Sequence, residues 1–234
     1  AKFATDKKIE YLVVNGAECE PYITSDAYTM LNRADDIAYA IDALVKYCNI
    51  EKVVIGVEKN KPEAIKKMQE IASKGSNISV CTLPSRYPQG GEKVLVYSTT
   101  GRIIGAGKLP IDVGCVVSNC TTLATLGSFF KTGMPLVEKC ITVDGSAVKA
   151  PRNVIVPIGV SVGDVFDFCG GFSSEPGKVL YGGPMMGISI PNLNQPVLKQ
   201  TNALIAFNEK DSVLRKETPC IQCGTCLRNC PMGI

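Results

Sequence analysis

Histidine is absent from the 234 residues. That removes Ser-His-Asp and Cys-His nucleophiles, HExxH zinc sites and every other design needing an imidazole at neutral pH. Hydrolytic readings therefore start far behind. Long apolar runs are missing as well. No stretch approaches the roughly 20 apolar residues that cross a bilayer, and the N-terminus lacks the regions of a signal peptide, so the chain is expected to be soluble. An excess of one charge is also lacking. The net charge is only +3, with signs interspersed as in Glu51-Lys52 and Glu58-Lys59. Without a basic stripe for phosphates, nucleic acid is not an expected partner.

What is present describes an ordinary globular protein: 45% hydrophobic and 20% charged residues, in a length that allows a full core and a second small domain. The 11 cysteines are an odd number, and seven are scattered through apolar or loop segments. That usage fits a reducing cytoplasm better than a disulfide scaffold. The other four cluster near the C-terminus, as metal ligands do.

Along the chain, Tyr11-Leu-Val-Val14 reads as a buried strand that delivers the loop Asn15-Gly-Ala-Glu-Cys-Glu-Pro-Tyr22 at its carboxyl end. Thr24 or Ser25 can cap a helix whose apolar face carries Ile37, Ala40, Ile41, Leu44, Val45 and Cys48. Lys52–Val57 is the next strand, Pro62 opens a second helix and Ile78–Leu83 is a third strand. Strands and helices in alternation imply a parallel sheet with ligands beyond the strands' carboxyl ends. After a Gly- and Pro-rich passage from Pro84 to Pro110, Val113–Val117 reads as a strand, with Ser118-Asn119 capping a helix over Thr121–Phe130.

The texture changes from Val137. Cys140–Val143, the turn Asp144-Gly145, a short second strand and Asn153–Val156 suggest a hairpin-rich unit. One helix interrupts it, with Ser161 and Asp164 as capping pair and Gly170-Gly171 as its end. Pro191–Gln200 and Ala203–Phe207 then lead to the cysteines.

Cys220-x-x-Cys223-x-x-Cys226-x-x-x-Cys230-Pro231 has the spacing of bacterial ferredoxins. Three thiolates grip one [4Fe-4S] cluster and the fourth serves another, because soft sulfur suits iron. A structural zinc module is the competing reading. The partner run that would complete either cluster is absent, so the chain reads as a fragment. Asn15, Glu18 and Glu20 surround Gly16 at a strand end, where carboxylates can receive ribose or flavin-edge donors; an acidic solvated turn is the alternative. Cys19, between two glutamates and with no base, reads as structural. Gly101–Lys108 fails as a phosphate loop, since Leu109 replaces the Ser/Thr. Met185 and Met186 read as loop packing.

These segments together resemble the C subunit of the Rnf complex, a bacterial membrane-associated ferredoxin:NAD oxidoreductase. The resemblance is carried by Asn15–Thr24, Tyr87-Pro-Gln-Gly-Gly-Glu-Lys93, Gly107-Lys-Leu-Pro-Ile-Asp-Val-Gly114, Tyr181-Gly-Gly-Pro-Met-Met-Gly187 and the cysteine run. The related electron-transfer adaptor of the proline reductase system shares much of the pattern. The family in turn is similar to the flavin-carrying peripheral subunit of respiratory complex I, whose Asn-Ala-Asp-Glu-Ser-Glu-Pro loop looks like Asn15–Pro21.

The resemblance implies that Asn15, Glu18 and Glu20 line an FMN and NADH cavity, with Asn119 and Thr122 near the FMN phosphate. It implies a Rossmann-like α/β unit over residues 1–134, a small β-grasp soluble-ligand-binding α+β domain over 135–190, and a connector with a partial ferredoxin-type segment over 191–234. It further implies an oxidoreductase subunit that takes hydride from NADH, carries FMN and [4Fe-4S] clusters, and joins other subunits of an electron-transport complex on the cytoplasmic face of the inner membrane. Ferredoxin is then an indirect partner. The family's glycine-rich flavin loop, Gly-x-Gly-Gly-Ala-x-Phe-Pro-Thr, lies upstream of the residues matching Ala1-Lys2-Phe3, so this piece by itself is expected to be inactive.

Overall fold

Short apolar strands alternating with helices build a parallel sheet in the computed structural model, which describes residue 3, residues 7–214 and residues 216–230. The strands β1 (Tyr11–Gly16), β2 (Lys52–Glu58), β3 (Ile78–Leu83) and β4 (Cys115–Asn119) lie in the order β3-β2-β1-β4, all parallel. Helices α1 (Ser25–Asn32) and α2 (Ala34–Cys48) join β1 to β2, and α3 (Pro62–Ala72) joins β2 to β3. α4 (Glu92–Thr100) precedes β4, and α5 (Cys120–Thr132) follows it.

Both faces are covered, so the strands are buried almost throughout, as parallel sheets require. Leu12 and Val14 pack with α2, α3 and α5, while Val13 and Val117 turn to the other face and meet Leu95 and Val96 of α4. α2 and α5 approach backbone to backbone: a Cβ on Gly127 would stand 1.9 Å from the Asp36 carbonyl oxygen.

Two details differ from the sequence expectation. The single helix after Thr24 is broken at Arg33, whose guanidinium reaches the Asp36 carboxylate and the Ala124 carbonyl. The passage from Pro84 to Pro110 holds α4, hidden by the glycines and prolines flanking its two buried residues, Leu95 and Val96.

The second sheet is mixed. β5 (Glu138–Asp144), β6 (Arg152–Pro157), β7 (Pro176–Tyr181), β8 (Ile188–Ser189) and β9 (Ala203–Asn208) take the order β6-β5-β9-β7-β8. β5 and β9 are parallel and the other pairs antiparallel. α6 (Val162–Phe168) covers one face, capped as its sequence predicts by Ser161, whose Oγ accepts from the Asp164 amide at 3.1 Å. Phe166, Ile141, Val143, Leu204 and Ala206 form the core. β9 lies within 191–234, the stretch expected as connector; its run Ala-Leu-Ile-Ala is fully buried and supplies the sheet's middle strand. That correction follows from burial on both faces, which leaves no alternation to mark a strand.

Beyond β9 only the short α7 (Thr225–Arg228) is regular among the described residues. Among them no helix is long and apolar enough to cross a membrane.

Candidate functional site

The strand order places a switch point between β1 and β4: chain leaving β1 crosses toward β2, while β4 sits on the other side. Crevices beyond such points are where open α/β sheets receive ligands. Asn15 and Asn119 are register partners there.

Each asparagine folds back on the loop it begins. Asn15 Oδ1 accepts from the Ala17 amide at 3.0 Å, and its Nδ2 donates to the Gly90 carbonyl at 3.0 Å. Asn119 Oδ1 accepts from the amides of Thr121 and Thr122 at 2.8 and 3.3 Å, capping α5, and its Nδ2 donates to Asp26 Oδ2 at 2.7 Å. Such caps are worth about 1 kcal/mol. The side chain of Thr122 is exposed.

The side chain of Glu18 is buried, 4% exposed. Its oxygens accept from the Asp26 amide at 2.8 Å, the Ala27 amide at 3.3 Å and Ser25 Oγ at 3.3 Å. Thr24, the formal cap of α1, makes no side-chain capping bond, so the Glu18 carboxylate, from the preceding loop, caps the helix instead. Burial first, then the neighbouring Asp26 charge, raises the Glu18 carboxyl to about 7. Lys61, 3.9 Å away, and the two amides oppose the rise.

Glu20 reaches the other sheet, where its Oε2 accepts from the Met185 amide at 2.9 Å. The turn clasping it approaches closely at Gly183, where a Cβ would lie 2.1 Å from Glu20 Oε2 as the carboxylate stands. Tyr22 packs edge-on against Phe207 at 5.4 Å. Ile23 is buried with Leu180, Ala203 and Ile205. Thr24 forms hydrogen bonds with Thr142 and Asn153. The loop after β1 is thus a strap binding the two sheets.

Cys19 accepts from the Gly90 amide at 3.4 Å. Burial, then the charges of Glu58 and Glu20, hold its thiol above the usual range. That is a packed cysteine, not a nucleophile.

The structure therefore brings Asn15, Glu18, Glu20, Asn119 and Thr122 to one edge, with the polar atoms of the first four engaged largely by the chain itself. For an FMN, the groups left to donate at this edge are the Thr122 hydroxyl and loop backbone amides. The asparagines and Glu18 hold the loops themselves.

Cys220, Cys223 and Cys226 are exposed and Cys230 is half-buried. Pro231 lies outside the described residues. Among the described residues no three His, Cys, Asp or Glu side chains gather as a metal site. Hydrogen bonding with Thr225 holds the Cys223 thiol below its usual range. The donor set suits iron–sulfur chemistry, and the metal would have to gather the ligands itself.

Sequence reasoning missed Asp26, which accepts from both Asn119 and Thr121 Oγ1, and Gly90, which anchors Asn15. Adjacent glycines in Tyr87–Lys93 were the available signal for a close backbone approach: a Cβ at residue 90 would lie 2.5 Å from the Ala17 carbonyl oxygen.

A doubly covered parallel sheet with two polar loops at its switch point defines a nucleotide-binding α/β module, here joined to a small mixed-sheet domain. Profile comparison makes the class specific: the Nuo51 FMN-binding domain matches residues 1–128 and the SLBB domain residues 140–189. The chain belongs to the Nuo51 FMN-binding domain family.

Its relatives bear out the resemblance to an Rnf-type C subunit. The C subunit of the proton-translocating ferredoxin:NAD(+) oxidoreductase complex of Clostridium ljungdahlii is 43% identical, covering 98% of this chain and 50% of the relative. The Na(+)-translocating counterpart of Acetobacterium woodii is 40% identical over 98% of this chain and 52% of its own length. The C subunit of the ion-translocating oxidoreductase complex of Rhodobacter capsulatus is 39% identical, with 95% and 43% covered. The chain thus spans about half the length of the curated relatives it matches. Among solved structures, the NAD+-reducing [NiFe]-hydrogenase in its air-oxidized state shares the fold, with a TM-score of 0.73 at 18% identity over 89% of this chain and 42% of that one.

Proposed function

We propose that this chain is the flavin- and NADH-binding portion of the C subunit of an ion-translocating ferredoxin:NAD oxidoreductase. The observation that carries the reading is the pairing of Asn15 with Asn119 at the switch point, in a chain whose relatives bear that name. Bound FMN supplies the chemistry that splits a hydride pair into single electrons. The chain's part is to set the crevice: Asn15 and Asn119 fix the two loops, Glu18 anchors α1 beside them and Thr122 offers its hydroxyl. Residues 1–134 hold that role, 135–190 form the ligand-binding-type second domain, and 191–234 lead toward the clusters.

Cys220, Cys223 and Cys226 take one [4Fe-4S] cluster and Cys230 a second. NADH is the donor or product, other members of the complex are the partners, ferredoxin exchanges electrons indirectly, and the site is the cytoplasmic face of the inner membrane. The relatives favour this over a soluble proline-reductase adaptor.

Full-length protein, prepared without oxygen, is expected to bind FMN, to oxidise NADH with an artificial acceptor and to carry iron with acid-labile sulfide. Cys223→Ser should lower the iron and sulfide content while leaving the flavin bound. Stoichiometric zinc in place of iron, or a protein that binds no flavin, overturns the reading.

A further inference from the structure

At the carboxyl end of β7, beside the turn Tyr181–Gly187 and the segment Leu198–Asn202, lies a cavity of about 270 Å³. Tyr181, Met186, Ile188 and Leu198 give it apolar walls. Among the described residues Glu20, reaching in from the strap, is the one charged group that lines it. Small-molecule sites generally enclose about 300–1,000 Å³. This one is on the scale of a single long side chain.

Glu20 has bonding capacity to spare. Its Oε2 accepts from the Met185 amide at 2.9 Å, and among the described residues the carboxylate forms no ion pair. The rim around it is apolar and open to solvent. Met186 and Ile188 are each 72% exposed, and Met185 and Leu198 stand out beside them. The expectation that Met185 and Met186 pack inside the loop does not hold: the turn brings its backbone to Glu20 and leaves both side chains outside. Scattered exposed apolar side chains are ordinary, whereas several around one cavity mark an interaction surface. Methionine in particular adapts to a partner's shape. A lone carboxylate at the centre of such a rim calls for a cation from the partner.

We propose that this end of the second sheet docks another subunit of the complex, with an arginine of that subunit entering the cavity. Its guanidinium forks onto the Glu20 carboxylate and lies against the Tyr181 ring, whose hydroxyl is already held by the Pro196 carbonyl at 2.6 Å. Arginine suits a cavity that pairs an aromatic ring with a carboxylate better than lysine does. The methionines, Ile188 and Leu198 cover its stem and exclude water. The partner is then seated on the residue that straps β1 to the second sheet, so assembly and the crevice loop share Glu20. That the partner is a subunit of the complex rests on the C-subunit reading.

Two measurements test the docking site. In the first, Met186 of the full-length C subunit is replaced by the photo-crosslinker benzoylphenylalanine, and the assembled complex is purified and irradiated. The expected product joins position 186 to another subunit, in a peptide that contains an arginine. In the second, full-length C subunit is rebound to complex depleted of it. Ile188→Glu should raise the dissociation constant at least about tenfold, the scale of an interface hot spot. Glu20→Gln keeps an acceptor for the Met185 amide and removes the charge, so it should weaken rebinding and flatten its dependence on salt. Phe168→Glu, on α6 and comparably exposed, should rebind as wild type does. Melting temperatures of the free variants establish that each is folded; should Ile188→Glu melt early, Met186→Ser tests the same rim.

A crosslink confined to the C subunit or to a second copy of it, or no crosslink, overturns the proposal. So does rebinding that Ile188→Glu leaves unchanged or that Phe168→Glu weakens equally. An unchanged salt dependence in Glu20→Gln removes the arginine from the cavity. A C subunit that purifies without any other subunit overturns the C-subunit reading itself, and the docking site with it.

Discussion

Asn15 and Asn119, opposite one another on adjacent parallel strands, make the same turn: each side-chain oxygen accepts the amide two residues ahead, from Ala17 and from Thr121. Their amide nitrogens then diverge, one to Gly90 and one to Asp26. Two neighbouring strands thus end in matched brackets, each tied to a different part of the chain.

Asn119→Ala removes the α5 cap and leaves Asp26 without its amide donor. Stability should fall by about 1–2 kcal/mol, measured as a lower urea midpoint. Asn119→Asp keeps the cap acceptor but sets a second carboxylate against Asp26. It should recover only part of the loss.

Glu18 carries a pH signature. Its carboxyl is raised by burial to about 7 in the folded chain, and returns toward the ordinary glutamate value on unfolding. The folded state holds the extra proton between those values. The stability this contributes is complete below the unfolded value and is lost as pH climbs through about 7. Relative to Glu18→Gln, the wild type should therefore lose on the order of 2 kcal/mol between pH 5 and pH 8. Denaturation series at the two pH values check it, and an unchanged difference would contradict the burial assigned to this carboxylate.

Gly90→Ala places a methyl 2.5 Å from the Ala17 carbonyl oxygen, a backbone atom that cannot rotate away. The overpacking should cost about 1–3 kcal/mol. Gly101 offers a contrast: its φ is +73° and nothing lies near its absent Cβ, so Gly101→Ala acts through backbone strain alone. A larger drop at residue 90, together with faster exchange of the Ala17 amide, is the expected result.

Glu20 ties the strap to the second sheet through one amide. Glu20→Ala should accelerate hydrogen exchange at Met185, whereas Glu20→Gln, still an acceptor, should keep most of the protection. Equal exchange in all three proteins would show that the turn from Tyr181 to Gly187 holds itself without the carboxylate.

Periodicity made much of this legible. β3 appears with the bounds its apolar run implied, α6 with its Ser161 cap, and the parallel character of the first sheet follows from alternation alone. Long-range pairing was not legible. Thr24 reads locally as a helix cap, yet it bonds Thr142 and Asn153, and Glu18 caps α1 in its stead. Ala203–Phe207 reads only as a stretch leading to the cysteines, and no local pattern says that it enters between β5 and β7. Asn15, Glu18, Glu20, Asn119 and Thr122 came from motif and resemblance; that most of them fasten loops is a matter of partners distant in sequence.

The position of β9 also orders events in time. During synthesis β5 and β7 leave the ribosome with unpaired edges, each exposing a row of hydrogen-bonding groups that invites wrong partners. Only when Asn208 emerges can β9 slide between them and close the sheet. The cysteine run comes next off the ribosome, so the strand that completes the scaffold is made before the four clustered thiols.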